Sequence, residues 1–221
     1  MFKLLCTSPL SESNRRHQPY HGCALPTELR GQVPLQTELR GAMVAVAAGL
    51  ASGPVEGDRG WSIRPATTAD AEGILRIYNA AVTGSVDTFD LVPRTLEEQL
   101  AWIDDHAGAH PAVVAVEGSQ VLGFGSVSPY RPRPAYATTV EDSVYVDEDA
   151  RGRGLGRGLL AELVRLAADH GFHSVIGRIV GHNEVSIGLH RACGFAEVGT
   201  EREVGRKFGR WLDVVVMQLL L

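Results

Sequence analysis

Cysteine is scarce in this sequence, and the few that occur show no disulfide or metal-binding pattern. The three cysteines, Cys6, Cys23 and Cys193, form no CxxC pair. An odd number without such spacing argues against both a disulfide framework and a zinc site. The eight histidines form no HExxH motif either, so we expect no metal cofactor. We expect a reducing, cytoplasmic setting.

Long hydrophobic runs and an excess of positive charge are also missing. The longest apolar stretch, residues 42–51, is interrupted by Gly49 and falls well short of the roughly 18 residues that cross a bilayer. The formal net charge is -5, whereas nucleic-acid-binding proteins concentrate positive charge. With 44% hydrophobic and 21% charged residues, the composition is that of a globular protein. We therefore expect neither a membrane nor a nucleic acid as a partner.

The first 60 residues lack the periodic patterns that indicate regular structure. They are rich in proline, serine and glycine and show no sustained period of 2 or 3.6. A tandem echo at residues 27–31 and 37–41 has too few copies for a solenoid. We interpret residues 1–60 as a disordered or non-native N-terminal extension and residues 61–221 as the folded domain.

Periodic patterns begin near Trp61. Thr67 and Thr95 each start a capping box, in which the first and fourth residues satisfy free amides at a helix start. Hydrophobic residues elsewhere recur with the period of strands or of helices. The sequence predicts strands at residues 62–65, 112–116, 121–127, 138–146, 174–180, 196–204 and 212–220, and helices at about 67–81, 95–106, 155–171 and 184–192.

The order of these elements indicates the fold class. It reads βααββ and then β-helix-β-helix-ββ. Runs of adjacent strands favour a mixed sheet that is antiparallel at its start over an all-parallel, doubly wound sheet. We therefore predict an α+β (mixed α/β) domain.

A glycine-rich turn between a strand and the longest helix is the strongest functional signal. Residues 149–158 read DARGRGLGRG, with alternating glycines and three arginines. Glycines let backbone N–H groups converge on an anion, and the helix start adds a partial positive charge. The expected ligand is a diphosphate, although a plain connector with solubilising arginines is the alternative. The turn lacks the Lys-Ser or Lys-Thr of a Walker loop and the GxGxxG spacing of a dinucleotide site.

This turn resembles the acetyl-CoA signature of the GNAT superfamily of N-acetyltransferases. The resemblance implies the GNAT fold, with a central mixed, mostly antiparallel sheet flanked by helices, and acetyl-CoA as co-substrate. It also implies that the amides of the turn bind the pyrophosphate and that the preceding strand bonds the pantetheine arm through its backbone. The implied binding residues are Val144, Tyr145, Val146, Arg151, Gly152, Arg153, Gly154, Leu155, Gly156, Asn183 and Ser186.

Four separated segments resemble one subfamily, the phosphinothricin and methionine-sulfone acetyltransferases. They are residues 136–146 (YATTVEDSVYV), residues 183–190 (NEVSIGLH), the pair Gly194-Phe195 and residues 207–213 (KFGRWLD). The segments occur in the order of that subfamily. The resemblance implies transfer of an acetyl group to the α-amine of a small amino-acid analogue, and it implies a homodimer.

Two catalytic residues, Glu141 and His190, are implied by the same resemblance. Glu141 matches the proposed general base, which removes a proton from the amine directly or through water. From strand alternation alone it would be a solvent-facing or ion-paired residue. His190 matches a histidine proposed to assist catalysis and lies about two helical turns after Asn183. Ordinary packing is the alternative for His190, and helix capping is an equally suitable role for Asn183.

Three residues are candidates for contact with the amine substrate. Arg131 and Arg133 flank prolines just before the Glu141 strand, where a restricted backbone could present them to a substrate carboxylate. An exposed loop with solvated charges is the alternative. Phe89 is a candidate wall of the pocket or a core residue.

Two other functions remain open at this point. One is an acetyltransferase for a protein N-terminus or a polyamine, and the other is a non-catalytic module that binds acetyl-CoA. The two arginines favour a small carboxylate-bearing substrate over a polycation. The presence of both Glu141 and His190 disfavours a module without turnover.

Overall fold

The computed structural model describes residues 60–221, which contain seven strands and four helices. The prediction of a disordered or non-native extension over residues 1–60 concerns residues that, apart from Gly60, lie outside this range. The strands are β1 (Ser62–Pro65), β2 (Ala112–Glu117), β3 (Gln120–Pro129), β4 (Thr139–Val146), β5 (Ser174–Val180), β6 (Ala196–Lys207) and β7 (Arg210–Leu220). The helices are α1 (Ala71–Gly84), α2 (Leu96–Asp105), α3 (Leu155–Asp169) and α4 (Glu184–Ala192).

The strands form one mixed, mostly antiparallel sheet in the order β1-β2-β3-β4-β5-β7-β6. Within the described residues, five neighbouring pairs are antiparallel and one, β4 with β5, is parallel. The predicted fold class and element order are confirmed. The main differences in length are that α1 continues past Ala81 to Gly84 and β6 past Val204 to Lys207, because β6 stays paired with β7 up to the Lys207–Arg210 rung.

Both predicted capping boxes are present. The Thr67 backbone N–H donates to the Asp70 carboxylate at 2.9 Å, next to the first helical turn. At the start of α2 the Glu98 N–H donates to the Thr95 hydroxyl at 3.2 Å, and the Thr95 N–H donates to the Glu98 carboxylate at 2.8 Å. Each box satisfies amides that a helix start otherwise leaves without partners.

Each face of the sheet carries its own apolar core. Helices α3 and α4 cover one face, where fully buried leucines of α3 such as Leu159 and Leu163 pack against β2, β3, β4, β5 and β7. Helices α1 and α2 cover the other face, where Ile74 and Phe124 are buried. Because successive strand residues point to opposite faces, neighbouring residues of one strand enter different cores.

The parallel pair β4–β5 ends before either strand does. Its rungs run from Thr139–Ser174 to Asp142–Gly177. Strand β4 continues to Val146, and β5 continues to Val180 while paired with β7 on its other side. The two strands therefore separate beyond Asp142 and Gly177, and we call the space between them the wedge. Backbone groups of β4 that face the wedge have no strand partner there.

Within residues 60–221, no helix combines the length and the apolar character that spanning a bilayer requires.

Candidate active site

The glycine-rich turn lies at the open end of the wedge and leads into α3. Gly152 and Gly154 adopt left-handed backbone conformations, with φ of 77° and 81°, which residues with a side chain rarely adopt. Gly154 is the N-cap of α3, and its carbonyl accepts the first intrahelical bond from the Gly158 N–H at 3.1 Å. The amides of residues 155–157 therefore have no acceptor within the helix. Together with the positive end of the helix dipole, they are suited to bind an anion.

Several residues of the turn anchor it to the rest of the fold. Leu155 is 1% exposed and anchors the start of α3 in the core. Arg153 forms an ion pair with Glu117 of β2, with 2.7 Å between Nη2 and Oε1. Arg151 is exposed. A Cβ on Gly156 would lie 3.3 Å from Leu189, so this glycine lets α3 pack closely on α4.

The last residues of β4 face the wedge with their backbone, and their side chains pack on the two faces of the sheet. Val144 and Val146 pack against the core under α3. Tyr145 points to the opposite face, where its ring stacks on Phe124 with centroids 5.1 Å apart and meets Tyr78 edge to face at 5.4 Å. Burial raises the pKa of the Tyr145 hydroxyl, so it stays protonated.

Glu141 lies one residue before the rung at which the wedge opens. Its half-buried carboxylate is on the face covered by α1 and α2, since Val140 and Asp142 belong to the other face. Burial raises the pKa of Glu141 above the usual carboxyl value, Arg178 and Arg131 oppose the shift, and Asp142 and Glu201 add to it. A carboxylate with a raised pKa is a better proton acceptor than an ordinary surface glutamate.

His190 lies on the other face of the sheet, in contact with the residue that follows Glu141. Its ring is 4% exposed, and its Nε2 is 3.1 Å from Oδ2 of Asp142, which is 6% exposed. The structure therefore separates the two predicted catalytic residues across the sheet. It pairs His190 with Asp142, a residue that the sequence patterns did not single out.

Both ring nitrogens of His190 face oxygen atoms. Nδ1 is 2.8 Å from the Ser186 carbonyl, and Nε2 faces Asp142. Burial alone lowers the pKa of His190, but the hydrogen bond and charge of Asp142 and the Ser186 carbonyl outweigh it, and the net pKa is raised. The second oxygen of Asp142, Oδ1, is buried and has no hydrogen-bond partner among residues 60–221.

Gly177 completes this arrangement at the apex of the wedge. A Cβ on Gly177 would lie 2.8 Å from Cδ2 and 2.9 Å from Nε2 of His190, and 3.2 Å from Oδ1 of Asp142. The imidazole ring therefore lies directly on the backbone of the last β4–β5 rung. Only glycine leaves room for it there.

Asn183 caps α4 and also ties it to a distant loop. Its Oδ1 accepts the Ser186 N–H at 3.0 Å, and its Nδ2 donates to Asp87 Oδ1 at 2.9 Å. Both ends of the side-chain amide are thus engaged, as expected for a helix cap. Ser186 contributes its amide to the cap and its carbonyl to His190.

The three predicted substrate residues are all exposed to solvent. Arg131 is exposed, and its guanidinium carbon is 4.9 Å from the ring centre of Tyr130 and 5.8 Å from that of Tyr136. Arg133 is also exposed and precedes a short 3-10 helix. Phe89 is 39% exposed and lies against the backbone of Gly205 in β6. Of the two arginines, Arg131 is the one whose charge acts on Glu141.

Two residues near Glu141, Arg178 and Ser128, have no distinguishing pattern in the sequence. The charge of Arg178 in β5 lowers the pKa of Glu141 and so opposes the effect of burial. Arg178 also forms an ion pair with Glu201 at 2.5 Å. Ser128 of β3 is the direct cross-strand neighbour of Glu141. For Asp142 a signal existed, because strand alternation places it on the apolar face of Val140 and Val144, where a carboxylate needs a partner.

Among residues 60–221, no group of three or more His, Cys, Asp or Glu side chains is placed to hold a metal ion.

Residues 74–195, more than half of the chain, match the sequence profile of the acetyltransferase (GNAT) family. The chain belongs to this family. An L-methionine sulfoximine/L-methionine sulfone acetyltransferase of Pseudomonas aeruginosa is 44% identical to it over 162 residues, which cover 72% of this chain and 94% of that protein.

Solved structures agree with this assignment. A phosphinothricin acetyltransferase of Sinorhizobium meliloti in complex with acetyl-CoA has a TM-score of 0.71 and 38% identity, covering 73% of this chain and 89% of that one. A ribosomal-protein-alanine N-acetyltransferase of Brucella melitensis also has a TM-score of 0.71, at 42% identity, with 72% and 99% covered.

The chain is therefore an acetyl-transferring enzyme that uses acetyl-CoA. The geometry of this acetyltransferase suits that co-substrate in two places. The left-handed glycines and the free amides at the start of α3 fit a pyrophosphate. The edge of β4 between Ser143 and Val146, which has no strand partner on the wedge side, fits an extended arm that contains amides.

Proposed function

We propose that this acetyltransferase acetylates the α-amine of a small amino-acid analogue of the phosphinothricin or methionine sulfone/sulfoximine type, with Glu141 as general base. The main support is the position of Glu141, a half-buried carboxylate beside the rung at which the wedge opens. The kinship with enzymes named for those substrates supports the substrate class.

Glu141 has a modest chemical task. Acetyl-CoA supplies the thioester carbonyl that the amine attacks. An α-amine with a pKa of about 8 is largely protonated at neutral pH and has to lose a proton before it can attack. A base placed at hydrogen-bond distance, or one water molecule away, accelerates such a step by about 10²–10⁴-fold. Glu141 accepts that proton, and its raised pKa makes it suited to do so.

His190 has a positioning role in this proposal and makes no direct contact with the reacting atoms. Both of its nitrogens are engaged and its ring is buried on the opposite face from Glu141. Its ion pair with Asp142 holds the last rung of the β4–β5 pair. The pair thereby fixes the point at which the wedge opens and the direction in which Glu141 projects.

Arg131 recognises the carboxylate of the substrate. It is exposed, its charge acts on Glu141, and two tyrosine rings restrict its guanidinium group. Arginine binds carboxylates in a planar, bidentate manner. Arg133 adds positive charge in the same loop, and the exposed Phe89 provides an apolar surface for the substrate side chain.

Acetylation of a protein N-terminus is the second candidate, because a named relative is a ribosomal-protein-alanine N-acetyltransferase. Free amino acids and N-terminal peptides both present an α-amine, so Glu141 would serve either. The free amino acid also carries an α-carboxylate, whereas in a peptide the N-terminal residue has a peptide bond at that position. A carboxylate-dependent rate therefore distinguishes them.

An acetylation screen read by thiol release tests the proposal. The panel contains methionine sulfone, methionine sulfoximine, phosphinothricin, the amide of methionine sulfone, an Ala-initiated peptide and spermidine. We expect the carboxylate-bearing analogues to have the highest kcat/KM and the amide to lose most of it. Turnover of the peptide alone would support the second candidate, and thiol release with none of them would contradict the proposed substrate class.

The expected homodimer and cytoplasmic location stay predictions. Large exposed apolar side chains on the β6–β7 hairpin, Phe208 at 59% and Trp211 at 61%, support an interface there. Cys193 is free and buried, as suits a reducing compartment.

A further inference from the structure

Ser128 faces Glu141 directly across the β3–β4 pair. The two residues form one rung of the antiparallel ladder, so their side chains lie on the same face of the sheet. Such partners have Cβ atoms about 4.5–5.5 Å apart. The Ser128 hydroxyl is therefore within reach of the Glu141 carboxylate through one water molecule or after a rotation of the Glu141 side chain. Both side chains are half-buried on the face that α1 and α2 cover.

His106, which follows the last residue of α2, contacts the Ser128 side chain. Its Nε2 is 3.1 Å from the Ser128 hydroxyl oxygen, and its Nδ1 is 2.7 Å from the Trp102 carbonyl. A carbonyl only accepts hydrogen bonds, so Nδ1 carries the proton of the neutral ring and Nε2 is an acceptor. Stacking on Trp102, with centroids 4.1 Å apart, holds the ring in this orientation. The Ser128 hydroxyl therefore donates to His106 and offers its own lone pairs towards Glu141.

We propose that Ser128 and His106 form a proton relay that returns Glu141 to its ionised state after each acetyl transfer. This inference rests on the proposed role of Glu141 as general base. It concerns the step after that base has taken its proton, when a half-buried carboxylic acid must release it before the next turnover.

The relay moves one proton and leaves every group as it began. Protonated Glu141 transfers its proton to the Ser128 oxygen, through one bridging water molecule or after a side-chain rotation, while the Ser128 proton passes to His106 Nε2. Glu141 is then a carboxylate, Ser128 is again a hydroxyl, and His106 is an imidazolium with its Nδ1–H still on the Trp102 carbonyl. The half-exposed imidazolium loses one proton to water and becomes the neutral ring again.

Burial brings the pKa values of the two ends of the relay closer together, and the charges around each end modify this effect. Glu141 is influenced by Arg178 of β5, Glu201 of β6, Arg131 of the loop before β4, and its neighbour Asp142; burial raises its pKa overall. Burial lowers the pKa of His106; the Trp102 carbonyl and Asp105 oppose the shift, and Arg94 adds to it. His110 lies close enough to His106 to interact electrostatically with it. Because these pKa values lie closer together than those of a free Glu and a free His, neither group retains the proton strongly.

Three variants of the full chain test the relay, and a fourth, Glu141→Gln, is the reference. Ser128→Ala removes the hydroxyl and Ser128→Thr keeps it. His106→Gln keeps a hydrogen-bonding group near Ser128 that cannot titrate. We expect Ser128→Ala and His106→Gln to lower kcat by about tenfold, with unchanged acetyl-CoA affinity, and Ser128→Thr to restore it. The kcat of both slow variants should rise with the concentration of imidazole buffer, which replaces the internal acceptor, while that of the wild type should not.

The outcomes separate this proposal from the one on which it depends. If Glu141→Gln turns over like the wild type, the general base itself is misassigned and the relay falls with it. If Glu141→Gln is slow but Ser128→Ala matches the wild type, the relay alone is wrong. A slow Ser128→Ala that no buffer accelerates also overturns the relay, because Ser128 is then only structural. Thermal unfolding of each variant shows whether it is folded.

Discussion

Glu141 and Asp142 are consecutive residues of one strand, yet their carboxylates serve opposite faces of the sheet. Glu141 is half-buried under α1 and α2, whereas Asp142 is buried against His190 under α4. Strand alternation produces this division, and the end of the β4–β5 pairing at Asp142 places both residues where the wedge opens. In the proposed mechanism the first carboxylate acts as the base and the second holds the strand in place.

The His190–Asp142 pair makes stability depend on pH. The pKa of His190 is raised in the folded protein above its ordinary value of 6.5, so the folded state binds the proton more tightly than the unfolded state. The pair's contribution is therefore fully present below about pH 6.5 and is lost as the pH rises through the raised pKa. Urea unfolding of the wild type and His190→Gln across this range should show a difference that shrinks with increasing pH. A difference that grows with pH would contradict the assignment.

Gly177→Ala should destabilise the fold. Its methyl group would overlap the buried His190 ring, which two hydrogen bonds keep from moving. Overpacking of this kind costs about 1–3 kcal/mol. Gly199→Ala is the matched control, because it lies in a strand with no heavy atom within 4 Å of its Cβ position. Equal free energies of unfolding for the two variants would show that the His190 ring can move aside without cost.

Gly154→Val should weaken acetyl-CoA binding while the protein stays folded. The space around its Cβ is open, so the effect comes from the left-handed backbone, with φ of 81°, that a β-branched residue cannot adopt without strain. A dissociation constant raised by about tenfold or more is expected in a calorimetric titration. Gly188→Ala, at an open helical position of α4, should bind normally. Normal binding by Gly154→Val would remove the turn from the site.

Lys207→Met should impair binding of the amine and leave acetyl-CoA binding intact. Lys207 is 2% exposed, and its Nζ donates to the Thr88 carbonyl at 2.8 Å, next to Phe89 in the α1–α2 loop. Loss of this bond frees the loop and leaves a carbonyl unpaired. The KM for the amine should rise while that for acetyl-CoA stays constant. Arg210→Met, the exposed partner of Lys207 in the ladder, is the control. A rise of both KM values together would point to general destabilisation.

Local features of the site were predictable from the sequence. The capping boxes at Thr67 and Thr95 and the glycine-rich turn each depend on residues a few positions apart, whose chemistry determines the backbone nearby. Period-2 alternation likewise predicted the strands, and the order of strands and helices predicted a mixed sheet.

Contacts between distant residues were not predictable in this way. His190 meets Asp142 across 48 positions, and Lys207 meets Thr88 across 119. Such contacts depend on which element packs on which face, and a helical period does not say which strand residue a helix will cover. For that reason the sequence did not indicate that Glu141 and His190 lie on opposite faces of the sheet, or that His190 contacts Asp142.

The turnover of Glu141→Gln tests the central claim most directly. A half-buried carboxylate acting as the base predicts that kcat falls by about 10²–10⁴-fold, with an unchanged dissociation constant for acetyl-CoA. It also predicts that kcat of the wild type falls as the pH is lowered through the raised pKa of Glu141, and that this dependence disappears in the variant. An undiminished kcat in Glu141→Gln, with the same dependence on pH as the wild type, would contradict the account.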